Sequence, residues 1–366
     1  MLVEKLTFSM PSYTTGRGET IREVRVGYEC YGQLNAAGDN AILICHYFSG
    51  SSHCAGKYSE DDSISGYWDA LIGPGKAIDT DKYFVVSSDT LCNISVKNPK
   101  VVTTGPASIN PDTGKPYGMR FPMVTVRDFV RVQKALIDHL RIKHLHAVVG
   151  PSMGAAQVFE WGAQYPEMVD RLVAVVPPGL RASSFLVAIV GNMLASVFSD
   201  SNWNGGDYYE GEEPQVGLSR AMGQLSLLNQ SPQWSDATFG RRWAAGDPVQ
   251  DWKNSYLVNA VLDKVGNDRA RESDANHFLY WSRVVQTYAV DEEGGRTSAL
   301  RAPVLLIPCR SDQLMLPVYS YRCAEELHAQ GTPVELFELD SDGGHLGCVT
   351  DVAKIAPTIQ AFLERI

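Results

Sequence analysis

Short apolar runs, rich in β-branched residues and separated by helical segments, constrain this chain more than any other feature. They fall at 23–30 (EVRVGYEC), 41–46 (AILICH), 83–88 (YFVVSS), 145–149 (LHAVV), 172–176 (LVAVV), 303–308 (PVLLIP) and 334–339 (VELFEL). Several are apolar throughout rather than alternating, the pattern of strands buried on both faces of a parallel sheet. Between them, 126–140 and 154–164 repeat apolar residues with a helical period, as does the tail 352–364. Strand–helix alternation of this kind predicts an α/β fold with a doubly wound, mostly parallel sheet.

The alternation stops near residue 180 and resumes near 300. The stretch between carries Trp203, Trp234, Trp243, Trp252 and Trp281, helical patterns and few strand patterns. We read 181–300 as a helical lid inserted into a core formed by 1–180 and 301–366. The 366 residues are thus one large core with an insertion, not two separate domains. The Gly/Pro-rich segment 97–118 reads as a long ordered loop, and loops of that length are more often functional than idle.

Charge narrows the partners. Lys plus Arg number 32 against 42 Asp plus Glu, for a net charge of −10, the opposite of what a phosphate-backbone binder needs. No apolar run is long enough to span a membrane, and Glu4 and Lys5 interrupt the region where a signal peptide carries its apolar core. The expectation is a cytoplasmic enzyme with a small-molecule substrate, and neither nucleic acid nor membrane as partner. Seven cysteines lack CxxC or zinc-like spacing, and His139, His144 and His146 cluster without a thiol neighbour in sequence. No metal and no resident cofactor are therefore expected.

Gly150-Pro151-Ser152-Met153-Gly154 matches G-x-S-x-G. The pentapeptide alone is weak, but it follows an apolar strand and opens an amphipathic helix, the setting a nucleophile elbow requires. Such a turn strains the serine and exposes its hydroxyl at the carboxyl end of the strand. The hydroxyl needs a base, and the base an orienting acid, which in this architecture follow in the order Ser, Asp/Glu, His after the last two strands. Strand 303–308 leads into Asp312, and strand 334–339 leads into Asp340, Asp342 and His345. The candidate triad is Ser152 as nucleophile, His345 as general base then acid, and Asp312 as the group that fixes the tautomer. Asp340 or Asp342 is the alternative orienting acid. An oxyanion hole needs two backbone N–H donors, expected from Met153 and from Phe48 in the loop after strand 41–46. His46 and His53 are read as shaping that loop.

At these residues the chain resembles the homoserine O-acetyltransferase family of α/β-hydrolase-fold acyltransferases. The likeness runs over nearly the whole length. It is densest in Cys45-His46 with Ser49 to Gly56, in WDALIGPGKAIDTDKYFVV (68–86), in TGPASINPDTGKPYGMRFPMVTVRD (104–128), in VVGPSMGAAQVFEWGAQYP (148–166) and in SDANHFLYWSR (273–283). The resemblance implies ping-pong transfer of an acetyl-type group from acyl-CoA, as co-substrate, through acyl-Ser152 to a hydroxyl acceptor. It also implies a lid over a tunnel to the serine, and a homodimer.

The departures bear on the acceptor. The family pairs an Arg with a Tyr seven residues on; this chain has Arg220 and Leu227. An Asp commonly follows the histidine in the family, where it can bind an ammonium group; Leu346 stands there in this chain. The elbow reads GPSMGA where GGSMGG is usual, and CNISVKNPKVVT (92–103) replaces a Gly-rich segment. Arg220 can still grip a carboxylate in fork geometry. The expectation is a small hydroxyl acceptor other than homoserine, with Arg220, Leu227 and Leu346 lining its site. The alternative is an ester or thioester hydrolase using the same triad, and the third is a non-catalytic binding scaffold.

Overall fold

The computed structural model describes residues 1–290 and 300–365; residues 291–299 of the expected lid segment lie outside the described residues. Eight strands form the central sheet: β1 (Leu6–Thr14), β2 (Thr20–Tyr31), β3 (Ala41–Cys45), β4 (Phe84–Ser88), β5 (Leu145–Pro151), β6 (Leu172–Val175), β7 (Val304–Ile307) and β8 (Val334–Leu336). Their order is β1-β2-β4-β3-β5-β6-β7-β8, parallel from β4 to β8. This is the α/β-hydrolase arrangement, a doubly wound sheet with helices on both faces.

The unbroken apolar runs are explained by the two cores. Leu43, Val148, Ala174 and Leu306 face one apolar cluster, which includes Ala155 and Phe159 of a covering helix. Their chain neighbours Ile42, Ile44, Val149, Val173, Val175, Leu305 and Ile307 face the other, with Trp68, Leu71 and the C-terminal helix residues Ile359 and Phe362. Strand side chains alternate between faces. Since both faces are covered, β3, β6 and β7 carry no polar side chain at any position.

One strand escaped the sequence reading. β1 pairs antiparallel with β2 from Leu6↔Tyr28 to Thr14↔Thr20, and β2 begins at Thr20 rather than 23. β1 alternates in burial and carries Pro11, as an edge strand with one solvated face can. A search for apolar runs passes over it. Helix α1 (Val126–His139) secures this hairpin: Asp128 accepts from Tyr13 Oη at 2.7 Å and Gly16 N at 2.8 Å, besides capping its own helix through Thr125 N at 2.8 Å. At the other edge, β8 ends at Leu336, and the chain continues to a single bridge between Cys309 and Leu339.

Helix α2 (Met153–Gln164) follows β5. Between β6 and β7 run α3 (Ser184–Phe198), α4 (Gln215–Leu228), α5 (Pro232–Phe239), α6 (Leu257–Glu272) and α7 (Ala275–Gln286). α3 packs on α4, and α4 packs along α6. α7 is buried over most of its length and carries Phe278 and Trp281 into the first core. The segment is fixed by its polar groups. The Asp274 carboxylate caps α7 at His277 N (2.9 Å) and accepts from Tyr208 Oη at 2.8 Å. The His277 ring bridges Asn93 O (2.9 Å) and Ala107 N (3.0 Å), which ties the long loop after β4 to α7. Burial pushes the His277 pKa below its ordinary value, so the ring is neutral and can accept from Ala107 N.

No helix among the described residues is long and apolar enough to cross a membrane. All seven cysteines are unpaired, and no cluster of three or more metal-ligating side chains occurs among the described residues.

Candidate active site

β5 ends at the elbow. Ser152 takes φ 57°, ψ −122°, a left-handed conformation that a non-glycine residue adopts only under strain, and α2 begins at the next residue. Ser152 N donates to Val175 O at 2.8 Å, which holds the turn against β6. The hydroxyl thus stands at the carboxyl edge of the sheet.

The loops after β7 and β8 meet it there. His345 Nε2 lies 2.8 Å from Ser152 Oγ, and His345 Nδ1 lies 2.6 Å from Asp312 Oδ2. A carboxylate only accepts, so Nδ1 carries the proton, and Nε2 is left to accept from the serine hydroxyl. The other oxygen of Asp312 accepts from Leu314 N (2.8 Å) and Met315 N (2.9 Å), which fixes the carboxylate. All three side chains are buried. Asp340 and Asp342 point elsewhere, each 2.9 Å from the exposed Arg310 guanidinium. The two loops are tied together through Ser311, which donates to Ser341 O at 2.6 Å and accepts from Gly344 N at 3.0 Å. Gly344 has φ 67°, and a Cβ there would stand 2.6 Å from the backbone at Gln230 and Ser231. Only glycine lets the histidine loop press directly on the turn between α4 and α5, where Leu346 N donates to Asn229 O at 3.0 Å.

The loop after β3 covers the serine from the opposite side. The N–H groups of Phe48 and Met153 donate to no acceptor among the described residues, as donors to a developing oxyanion must. The Phe48 ring stands edge-on to Phe278 and Trp281 of α7. The loop is held beneath by a buried polar network. Glu29 accepts from Tyr58 Oη and Tyr31 Oη at 2.7 Å each, lies 3.0 Å from His53 Nδ1, and pairs with Lys5 at 3.1 Å. Burial alone would raise its pKa, but the bonds from His53 and the tyrosines, with the Lys5 charge, hold it at about 2. His53 therefore braces the loop from below. His46 is wholly buried, and that burial pushes its pKa down against the opposing bond at Tyr47 O.

A cavity of about 420 Å³ opens over Ser152 and His345. Phe48, Ser49, Leu225, Ser226, Trp234, Leu262, Arg269 and Leu346 are among its walls. Two expected wall residues are elsewhere. Arg220 faces solvent, because α4 turns Leu218, Ala221, Met222 and Leu225 inward and position 220 falls on the opposite side. Leu227 is 45% exposed and lines a neighbouring hollow with Gln230, Pro232 and Gln313. The cationic wall residue is instead Arg269, on the inner side of α6. It donates through Nη2 to Ser49 Oγ at 2.8 Å and through Nη1 to Ser226 Oγ at 3.1 Å. Sequence reasoning missed it, since nothing local separates Arg269 from Arg271 two residues on, which faces solvent and pairs with Asp268.

Comparison with known proteins agrees with this fold. Residues 101–352 match the model of the α/β hydrolase fold family. A homoserine O-acetyltransferase of Methanococcoides burtonii is 39% identical over 350 residues, 94% of this chain and 70% of the relative. The chain belongs to the homoserine O-acetyltransferase family. Among solved structures, the homoserine O-acetyltransferase of Bacillus anthracis superposes with a TM-score of 0.95 at 38% identity, over 100% of this chain and 98% of that one. Esterase E22 superposes equally well, TM-score 0.95 at 42% identity, over 99% of this chain and 100% of that one. Family membership thus fixes an enzyme of the acyltransferase type with a small-molecule substrate. It leaves open which acyl donor and which acceptor this chain uses.

Proposed function

We propose that this enzyme moves an acetyl-type group through an acyl-Ser152 intermediate to a small hydroxyl acceptor, with an acyl-CoA as donor. The observation that carries the reading is the hydrogen-bonded series Ser152–His345–Asp312 opening into a cavity. Ser152 Oγ attacks the acyl carbonyl while its proton passes to His345 Nε2. The oxyanion is met by the N–H groups of Phe48 and Met153. Collapse expels the thiol, which takes the proton from Nε2. An alcohol then enters, gives its proton to Nε2 and attacks the acyl carbon; collapse breaks the Ser152 Oγ–acyl bond, Nε2 returns the proton to Oγ, and the ester leaves. Asp312 stabilises the imidazolium in both halves and never leaves its two backbone N–H donors.

Hydrolysis is the second reading. It is favoured by Leu346, an apolar residue on the cavity wall beside His345, and by the outward-facing Arg220, which together remove the acceptor contacts expected from the family pattern. They also favour an acceptor other than homoserine. Release of CoA from acetyl-CoA, measured with and without candidate alcohols, separates the two readings. Release that requires an alcohol and yields its ester supports transfer. Equal release in water alone sinks it in favour of hydrolysis.

A further inference from the structure

Arg269 poses a physical problem that the acyl chemistry does not solve. Its guanidinium borders the cavity over Ser152, yet it forms no ion pair among the described residues; its bonds go to two neutral hydroxyls, Ser49 Oγ and Ser226 Oγ. Ser226 donates its own proton onward to Met222 O at 2.8 Å, so it remains an acceptor toward the arginine. Glu272 touches the same cavity from one helical turn away but lies beyond ion-pair distance, at the exposed mouth. A partly buried cation that faces a cavity without a counter-charge is unfavourable unless an anion arrives. Burial accordingly weakens the proton affinity of the group, with Tyr47 opposing. The placement is specific: Ser49 directly follows Phe48, so the guanidinium is tethered to the loop expected to hold the reacting carbonyl.

We infer that Arg269 is a substrate-binding residue, oriented by Ser49 and Ser226, that selects substrates bearing a carboxylate beyond the ester or alcohol oxygen. Ser49 and Ser226 each occupy one N–H of the fork and leave donors of the planar group for a bidentate carboxylate. A carboxylate is the anion the site favours, because the fork matches it and the cavity of about 420 Å³ suits a compact ligand. Leu225, Leu262 and Val265 supply apolar wall around the cation, which strengthens the pairing once water is expelled.

The inference rests on Ser152 acylation only for what turnover reports, so the test has two arms. In the first, kcat/KM is measured for γ-acetoxybutyrate and for its neutral isostere γ-acetoxybutyramide. The wild-type enzyme should prefer the carboxylate by at least about tenfold, and Arg269→Met should collapse that ratio toward one, chiefly through KM, with Arg269→Lys between the two. In the second, calorimetry follows binding of the unreactive γ-acetamidobutyrate to wild-type, Arg269→Met and Ser152→Ala proteins. Binding should weaken about 10- to 100-fold in the arginine variant and persist in the serine variant. If Arg269 is only a strut between lid and loop, Arg269→Met lowers turnover of both esters alike and the ratio persists. That result overturns the inference, as does a wild-type enzyme with no carboxylate preference. Failure of the Ser152 reading looks different, with Ser152→Ala retaining turnover. Urea midpoints of the variants identify any that are unfolded, and Arg269→Lys keeps the question open to test if Arg269→Met is.

Discussion

Replacing Gly154 with alanine opposes two effects whose sizes can be compared. In an ordinary helix the change stabilises by up to about 1 kcal/mol, because glycine loses more backbone freedom on folding. At position 154 the new Cβ would stand 2.1 Å from the carbonyl oxygen of Cys45 and 3.2 Å from that of His46. Reaching an ordinary 3.4 Å contact requires about 1.3 Å of separation between the start of α2 and the end of β3. Overpacking of this kind costs roughly 1–3 kcal/mol, so a net loss of stability is expected despite the better propensity. The same separation moves Met153 N–H relative to the Phe48 loop, and a misplacement near 1 Å costs about 10²-fold in rate. Gly191, on α3, is the control: a Cβ there meets only the Gln286 side chain, at 3.8 Å. Urea unfolding and kcat/KM on a small acetate ester should find Gly191→Ala at least as stable as wild type with activity kept. Gly154→Ala should be destabilised and about 100-fold slower. If both variants behave alike, the close approach of strand and helix does not set the elbow geometry, and the argument fails.

Other outcomes follow from the same structure. Ser152→Ala should lose covalent labelling by a serine-directed phosphonate; a labelled variant would remove Ser152 as nucleophile. Asp312→Asn should lower kcat by roughly 10³- to 10⁴-fold, since the amide no longer enforces the Nδ1–H tautomer. Its melting temperature should change little, because the retained carbonyl oxygen can still accept from Leu314 N and Met315 N. Leu346→Asp should raise the yield of ester from homoserine relative to hydrolysis, read by product chromatography; no change would locate acceptor choice elsewhere. The folded state holds the Glu29 pKa at about 2 against an ordinary 4.5, so its contribution is present above pH 4.5 and is lost as pH falls toward 2. The size is on the order of 3 kcal/mol. His46 and His277 are held neutral by burial, so their contribution is lost as pH falls below about 6.5, where the unfolded chain takes up protons. Urea midpoints between pH 7 and 3 should fall throughout. A flat profile would contradict both assignments.

The sequence by itself determined the parts that local chemistry encodes. Runs such as AILIC at 41–45 are apolar at every position because both faces of the sheet are covered, and that pattern is visible without a structure. The elbow was legible because Ser152 lies between a strand pattern and a helix pattern. The chain order then pointed to Asp312 and His345. The antiparallel β1 was not legible, because an edge strand with one wet face and a proline lacks the signal of a buried run.

Tertiary structure decided what depends on how distant segments meet. Asp312, rather than Asp340 or Asp342, faces His345 because Ser311 binds the two loops together and Arg310 draws the other carboxylates outward. The rotation of α4 about its axis turned Arg220 to solvent, while the packing of α6 over the loop after β3 brought Arg269 to Ser49, 220 residues away in sequence. Periodicity is a property of neighbours along the chain and can be read there. Which side of a helix faces the cavity is set by packing against its partners, and no short stretch of sequence carries that information.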